Sequence, residues 1–175
     1  MDIEILTIKE LLASGVQKIE LIEICNDLYE MTDFICEDYP KHKSWFFQKH
    51  LKETLSDKSS RDIIFARNKE NINLGVAFIK KDEKEKKICT LYVKENARGL
   101  GVATKLVEKS MEILGTTKPM ITLADYKLPM FEGLIKKYGW EKSQEVSGLY
   151  NERSIELVYN GKLVDDNNNE DERQQ

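Results

Sequence analysis

The sequence predicts an α+β fold: a mixed, mostly antiparallel central sheet flanked by helices. Three short runs of strand character, DIIFAR (62–67), LGVAFIK (74–80) and ICTLYV (88–93), follow one another across a turn-rich and a fully charged connection. That is the pattern of an antiparallel meander. The third run leads into a glycine loop, an amphipathic helix and the compact apolar run PMITLA (119–124). Strand, helix and strand of these lengths suggest a βαβ crossover with a locally parallel pair. Helix-like segments lie before the meander, and one helix and two strand-like runs lie after the crossover.

In chain order, residues 3–8 place Ile3, Ile5, Leu6 and Ile8 in a first strand. A helix is expected over 17–35, where Ile22, Cys25, Leu28, Tyr29 and Ile35 recur at helical spacing. Tyr39-Pro40 interrupts it, because the residue before proline disfavours helix. A second, aromatic helix is expected over 42–55 and a polar loop over 56–60. NKENIN (68–73) is a turn, and KDEKEKK (81–87), with charges of both signs, is a solvated hairpin tip. After the glycine loop, Ala103, Leu106, Val107, Ser110, Met111 and Leu114 share one helix face, and Gly115 stops the helix. Pro129 suits a helix start, Phe131, Leu134, Ile135 and Tyr138 give it an apolar face, and Gly139 ends it. Residues 140–146 and 154–159 supply two last strands. Residues 1–164 read as one domain. The tail from 165, DDNNNEDERQQ, has no core former and is expected to be disordered.

Hydrophobic residues make up 41% of the chain, enough for a sizeable core, and the net charge is -4. An acidic balance argues against a generic nucleic-acid surface. Cys25, Cys36 and Cys89 are too few and too widely spaced for a disulfide framework or zinc cluster. His42 and His50 lack metal-site company and are assigned surface or packing roles. With no signal peptide and no apolar run near ~18 residues, the expectation is a soluble cytoplasmic protein without membrane contact.

The functional stretch is residues 91–114, LYVKENARGLGVATKLVEKSMEIL. Gly99 and Gly101 let the backbone approach a ligand and take φ values other residues avoid. A helix opening there presents unpaired N–H groups and a positive dipole end, an anion site suited to a pyrophosphate. A dinucleotide fingerprint would need a third glycine at a different spacing, and a Walker loop would need Gly-Lys-Ser/Thr.

The order of elements, with these motifs, resembles the GNAT acyltransferase superfamily. Its loop signature, Gln/Arg-x-x-Gly-x-Gly/Ala, is met by Arg98, Gly101 and Ala103. Leu91-Tyr92-Val93 matches the family's Leu-x-Val strand end, and Lys137-Tyr138-Gly139-Trp140 its second hallmark, a helix closing with glycine and an aromatic. The resemblance covers about residues 1–160 and is specific across 88–140. It implies direct transfer of acetyl from acetyl-CoA to an amine of a small molecule or peptide, with no metal. The pyrophosphate would lie on Arg98, Gly99, Leu100, Gly101, Val102, Ala103 and Thr104. The pantetheine arm would run beside Leu91, Tyr92 and Val93 like an added strand, with the Val93 N–H meeting the thioester oxyanion. Family members are often dimers, so homodimer formation is left open.

The chain departs from the family where many members carry a tyrosine, four residues before the helix-ending glycine, that protonates the leaving thiolate. Ile135 stands there, with Leu128 and Phe131 at the companion positions. Tyr126, just past the strand 119–124, is the substitute candidate acid, with Asp125 beside it a base or a turn residue. Cys89 is read as a small buried hydrophobe. The family's acceptor wall would include Tyr29, Glu30, Asp33, Phe34, Glu37, Asp38 and Tyr39, and Glu37 or Asp38 would hold a cationic amine. The alternatives to an active enzyme on amines are a catalytically inactive acyl-CoA-binding or regulatory protein, which the missing tyrosine favours, and an enzyme acetylating aminoacyl-tRNA, which the acidic charge disfavours.

Overall fold

The computed structural model describes residues 2–56 and 60–163. The tail from 165 and residues 57–59 of the expected 56–60 loop lie outside them. The strands form two antiparallel sheets. The first runs in the order β1 (Glu4–Thr7), β2 (Arg61–Arg67), β3 (Asn73–Lys81), β4 (Lys86–Val93). The second runs β5 (Ile121–Ala124), β7 (Ile155–Tyr159), β6 (Lys142–Ser147). They meet at a single parallel bridge between Lys87 and Met120. There the Ile88 N–H donates to Met120 O at 3.0 Å and the Met120 N–H to Lys86 O at 2.8 Å.

The parallel pair expected from the crossover is thus confined to the base of β4 and β5. The reason lies in the β3–β4 register. Ile79 faces Ile88 and Phe78 faces Thr90, so Cys89 is an extra residue in β4. Such a bulge bends its strand and sharpens the local twist. Past Cys89 the ladder to β5 does not continue, and the two strands leave a gap between them.

Side chains alternate across the first sheet as the period of two requires. Ile64, Ala66, Ala77 and Ile79 pack under α5 (Val102–Leu114) through Val102, Leu106, Val107 and Leu114, with α6 (Leu128–Tyr138) adding Phe131, Leu134 and Ile135 at the border. Ile63, Phe65, Val76 and Phe78 face the opposite layer. That layer holds α1 (Ile8–Ala13), α2 (Lys18–Glu30), α3 (His42–Trp45) and α4 (Leu51–Thr54). Its main anchors are Ile8, Leu21, Leu28, Trp45, Phe46 and Leu51.

Several elements differ from the expected ones. The first strand ends at Thr7 because its hydroxyl accepts the Glu10 N–H at 3.0 Å and caps α1, a helix the apolar pattern did not announce. The single helix expected over 17–35 stops at Glu30, and a 3-10 turn, Asp33–Glu37, follows. Leu21 rather than Ile22 sits in the core, Ile22 being 39% exposed. The 42–54 segment stays helical through a π turn at Phe46–His50. His42 and His50 are both fully buried. His42 meets the Thr32 hydroxyl at 3.2 Å, and burial with the Arg61 charge holds His50 well below the ordinary imidazole range. Both histidines are core residues. Among the described residues no helix is long and apolar enough to cross a membrane.

One glycine sets how closely α5 approaches the sheet. A Cβ on Gly75 of β3 would lie 2.8 Å from Tyr92 O and 3.1 Å from both Leu106 Cδ1 and Val102 Cγ1. The first turn of α5 therefore rests on bare backbone. Gly75→Ala is expected to cost about 1–3 kcal/mol of stability by overpacking and to displace the start of α5. Chemical denaturation and acetyl-CoA titration should register both effects.

Candidate active site

The loop between β4 and α5 is built by two left-handed glycines, Gly99 (φ 77°) and Gly101 (φ 79°). A Cβ at either would meet nothing within 4 Å, so both face open space. Gly101 caps α5 and, being glycine, supplies no side-chain cap. The first helical bond runs from the Lys105 N–H to Gly101 O at 3.1 Å. The N–H groups of Val102, Ala103 and Thr104 thus lack intrahelical partners and carry the positive end of the helix dipole. Arg98 ties the loop to the strand. Its Nε donates to Val93 O at 3.3 Å, while its guanidinium stays 46% exposed, 3.9 Å from Glu95.

These groups border a cleft of about 520 Å³. Leu91, Tyr92, Val93, Arg98, Gly99, Gly101, Val102, Ala103 and Thr104 line it from the β4 and α5 side. Leu100, the remaining loop residue singled out from the sequence, points outward and is 45% exposed. The opposite wall is α6, through Met130, Phe131, Gly133, Leu134 and Lys137. Along β4 the amide directions follow from the register. The Lys94 N–H donates to Leu74 O at 2.9 Å. Alternation along an antiparallel strand then turns the Tyr92 amide toward β3 and the Leu91 and Val93 amides away from it, toward the gap.

The cleft continues past Leu91, Tyr92, Met130 and Phe131 into a smaller chamber of about 100 Å³. Its further walls include Phe34, Tyr39, Cys89, Thr90, Thr122 and Lys127. Two carboxylates stand around it. Asp38 pairs with Lys127 at 2.8 Å, both side chains about three-quarters buried. Burial pushes the Asp38 carboxyl up, but Lys127 and the Tyr126 hydroxyl outweigh it and hold the pKa below the usual range. Glu156 of β7 is 2% exposed and accepts the Tyr39 hydroxyl at 3.0 Å. Burial raises its pKa to about 7, against the lowering pull of Tyr39, Lys87 and Lys127.

A family model described as "Acetyltransferase (GNAT) family" matches residues 21–122, more than half of the chain. The chain belongs to the GNAT acetyltransferase family. A GNAT-family protein from Desulfovibrio desulfuricans has a solved structure that superposes with a TM-score of 0.61 at 13% identity, over 90% of this chain and 97% of that one. A GNAT family acetyltransferase from Elizabethkingia anophelis, solved with acetyl-CoA bound, gives 0.55 at 14% identity, over 75% and 87%. Nourseothricin acetyltransferase gives 0.53 at 14%, over 60% of this chain and 66% of its own, just under two thirds of its length. At these identities the superpositions speak for the fold. No curated protein sequence matches the chain.

Within the GNAT frame, Ile135, where many members carry tyrosine, packs against the core and lines neither cavity. Tyr126 is 55% exposed and lines neither cavity, and its hydroxyl bonds to Asp38. Glu37 is exposed. Among the described residues no group of three or more His, Cys, Asp or Glu could hold a metal. Sequence reasoning missed the α6 wall and Glu156. The available signal for Glu156 was a lone carboxylate beside the apolar run LVY in SIELVY.

Tyr126→Phe is expected to change kcat by less than about threefold, because the hydroxyl faces Asp38; a loss at the general-acid scale of about a hundredfold in a steady-state assay would place it at the leaving group instead. Glu156 also imprints stability. Its folded pKa of about 7 exceeds the ordinary 4.5, so the native state holds the extra proton between these values. The contribution is full below 4.5 and is lost as pH rises to about 7. Melting curves across that window should show Glu156→Gln gaining on the wild type as pH rises.

Proposed function

We propose that the chain is an acyl-CoA-dependent N-acetyltransferase, moving the acetyl group of acetyl-CoA to a primary amine of a small molecule or peptide by direct attack. One observation carries this. The uncapped start of α5, behind Gly99 and Gly101, opens on a cleft whose other edge is the unpaired end of β4. Membership of the GNAT family supports acetyl-CoA as the donor.

The pyrophosphate rests on the N–H groups of Val102, Ala103 and Thr104, where backbone donors and the helix dipole favour an anion. Arg98 and Lys137, on opposite walls of the cleft, add positive charge. The pantetheine arm runs along the outward edge of β4 beside Leu91, Tyr92 and Val93, as a peptide adds to a sheet edge. This brings the thioester to the junction of cleft and chamber. There an outward N–H, that of Val93 in the sequence reading, meets the carbonyl oxygen as it gains charge. The amine comes from the chamber side. Asp38 already carries Lys127 as counter-ion and so shapes the chamber more than it attracts a cation. A cytoplasmic location accords with three cysteines that are all free.

Isothermal titration should show acetyl-CoA binding one to one, and Gly101→Val should weaken it at least tenfold, on the order of 1.4 kcal/mol, since valine strains the loop and fills the cleft. No binding by the wild type would sink the proposal. Binding without thiol release across a broad amine panel would point to a protein that holds acyl-CoA without turnover, the reading that Ile135 favours.

A further inference from the structure

Glu156 is a buried carboxylate with no part in the chemistry above. It lies in the middle strand of the second sheet, opposite Ala124 of β5 and Val146 of β6. Its Oε1 takes the Tyr39 hydroxyl at 3.0 Å, and the Tyr39 ring is a wall of the inner chamber. The contact joins residues 117 apart in sequence. On the far side the Tyr150 ring packs edge-on to Tyr39 with centroids 5.2 Å apart. The Tyr150 hydroxyl is buried beside Thr122.

The chemistry asks for what this cluster supplies. Alkyl amines are ammonium ions at neutral pH, and only the neutral amine attacks a thioester. The lining groups of the chamber are hydroxyls, one thiol, apolar side chains and Lys127, none of them a base at neutral pH. A carboxylate in direct contact would hold the ammonium as an ion pair. A carboxylate one phenol away can take the proton without keeping the cation.

We propose that Tyr39 and Glu156 form a proton relay that deprotonates the acceptor amine. This rests on the acetyl-transfer reading above and names the base it lacks. An ammonium N–H bond breaks and its proton passes to Tyr39 Oη, as the Tyr39 proton passes to Glu156 Oε1. The freed nitrogen pair then forms the C–N bond while the C–S bond breaks. The second amine proton leaves with the sulfur, giving the free thiol, and Glu156 returns its proton to solvent after product release. Tyr39 touches the amine, so it is the catalytic residue, and Glu156 acts through it. The charged and titratable groups facing Glu156 are Lys87 on β4, Tyr126 and Lys127 before α6, Asp38 and Tyr39 after the 3-10 turn, and Tyr150 before β7. Burial, partly offset by these cations, puts the Glu156 pKa at about 7, where a general base is most effective.

The test is the pH profile of kcat in the full chain, with thiol release from acetyl-CoA as readout. The probes are phenylethylamine, spermidine and a tetrapeptide with a free N-terminus, each profile being taken on the amine that turns over. The wild type should rise to a plateau with an apparent pKa near 7. Glu156→Gln and Tyr39→Phe should lose about a hundredfold at neutral pH, with acetyl-CoA affinity within twofold of wild type by titration. Both should recover to within about tenfold near roughly pH 10, where an alkyl amine is neutral unaided. Equal loss at every pH, with acetyl-CoA still bound, would assign the pair a structural role and overturn the relay. So would a limb near 7 that survives in Glu156→Gln. If the wild type binds acetyl-CoA yet acetylates none of the three amines, the acetyl-transfer reading falls first and the relay with it.

Discussion

The site depends on where β4 and β5 part. They share one parallel bridge, Lys87 with Met120, and the extra residue at Cys89 then turns β4 away. Unpaired strand edges usually invite aggregation and are covered or blunted. Here the exposed edge faces inward to a cleft roofed by α6, so its free amides are sheltered from other chains yet open to an extended ligand. Had the ladder continued, Leu91 and Val93 would spend their N–H groups on β5. The cleft, the chamber behind it and the direction from which an acceptor arrives all follow from this gap.

Holding an anion next to that gap takes a second arrangement, and it is mostly backbone. Gly99 and Gly101 keep the approach to α5 bare, and Gly75 lets the first turn of α5 settle onto β3 beside Tyr92. The dipole end of α5 is thereby fixed relative to the free edge of β4. Side-chain charge is secondary. Arg98 spends its Nε on Val93 O, and Lys137 is shared with Glu108 at 3.2 Å. The loop signature is consequently mostly a statement about backbone shape, which explains why two of its three fixed positions are glycine or a small residue.

This also explains how much could be read from the chain. The cleft's β4 and α5 wall is contiguous in sequence, and glycines before an amphipathic helix declare themselves locally, so those residues were legible. The α6 wall was not, because Met130, Gly133 and Lys137 reach the cleft only through the angle at which α6 packs. The bulge at Cys89 was equally hidden, since ICTLYV reads as an uninterrupted strand and register belongs to two strands together. The end of the 17–35 helix at Glu30 was hidden as well: its buried stripe is Leu21, Cys25, Leu28 and Tyr29, which stops there, and Ile22 lies outside it. Glu156 and Tyr39 meet only when the first helical layer closes over the second sheet.

The two carboxylates of the chamber show opposite solutions to the same cost. Burying an ionised carboxylate is unfavourable unless it is paired or neutralised. Asp38 is paired. Lys127 at 2.8 Å and the Tyr126 hydroxyl keep it ionised, and the pair pins the entry of α6 to the segment after the 3-10 turn. Glu156 accepts from a neutral phenol, and the pull of Lys87 and Lys127 does not outweigh its burial, so it carries its proton up to about neutral pH. One carboxylate is thus fixed in charge and serves geometry, and the other is free to change charge. A change of protonation is affordable only at the second, because protonating Asp38 would leave Lys127 buried and unpaired, whereas protonating Glu156 removes the very charge that burial penalises.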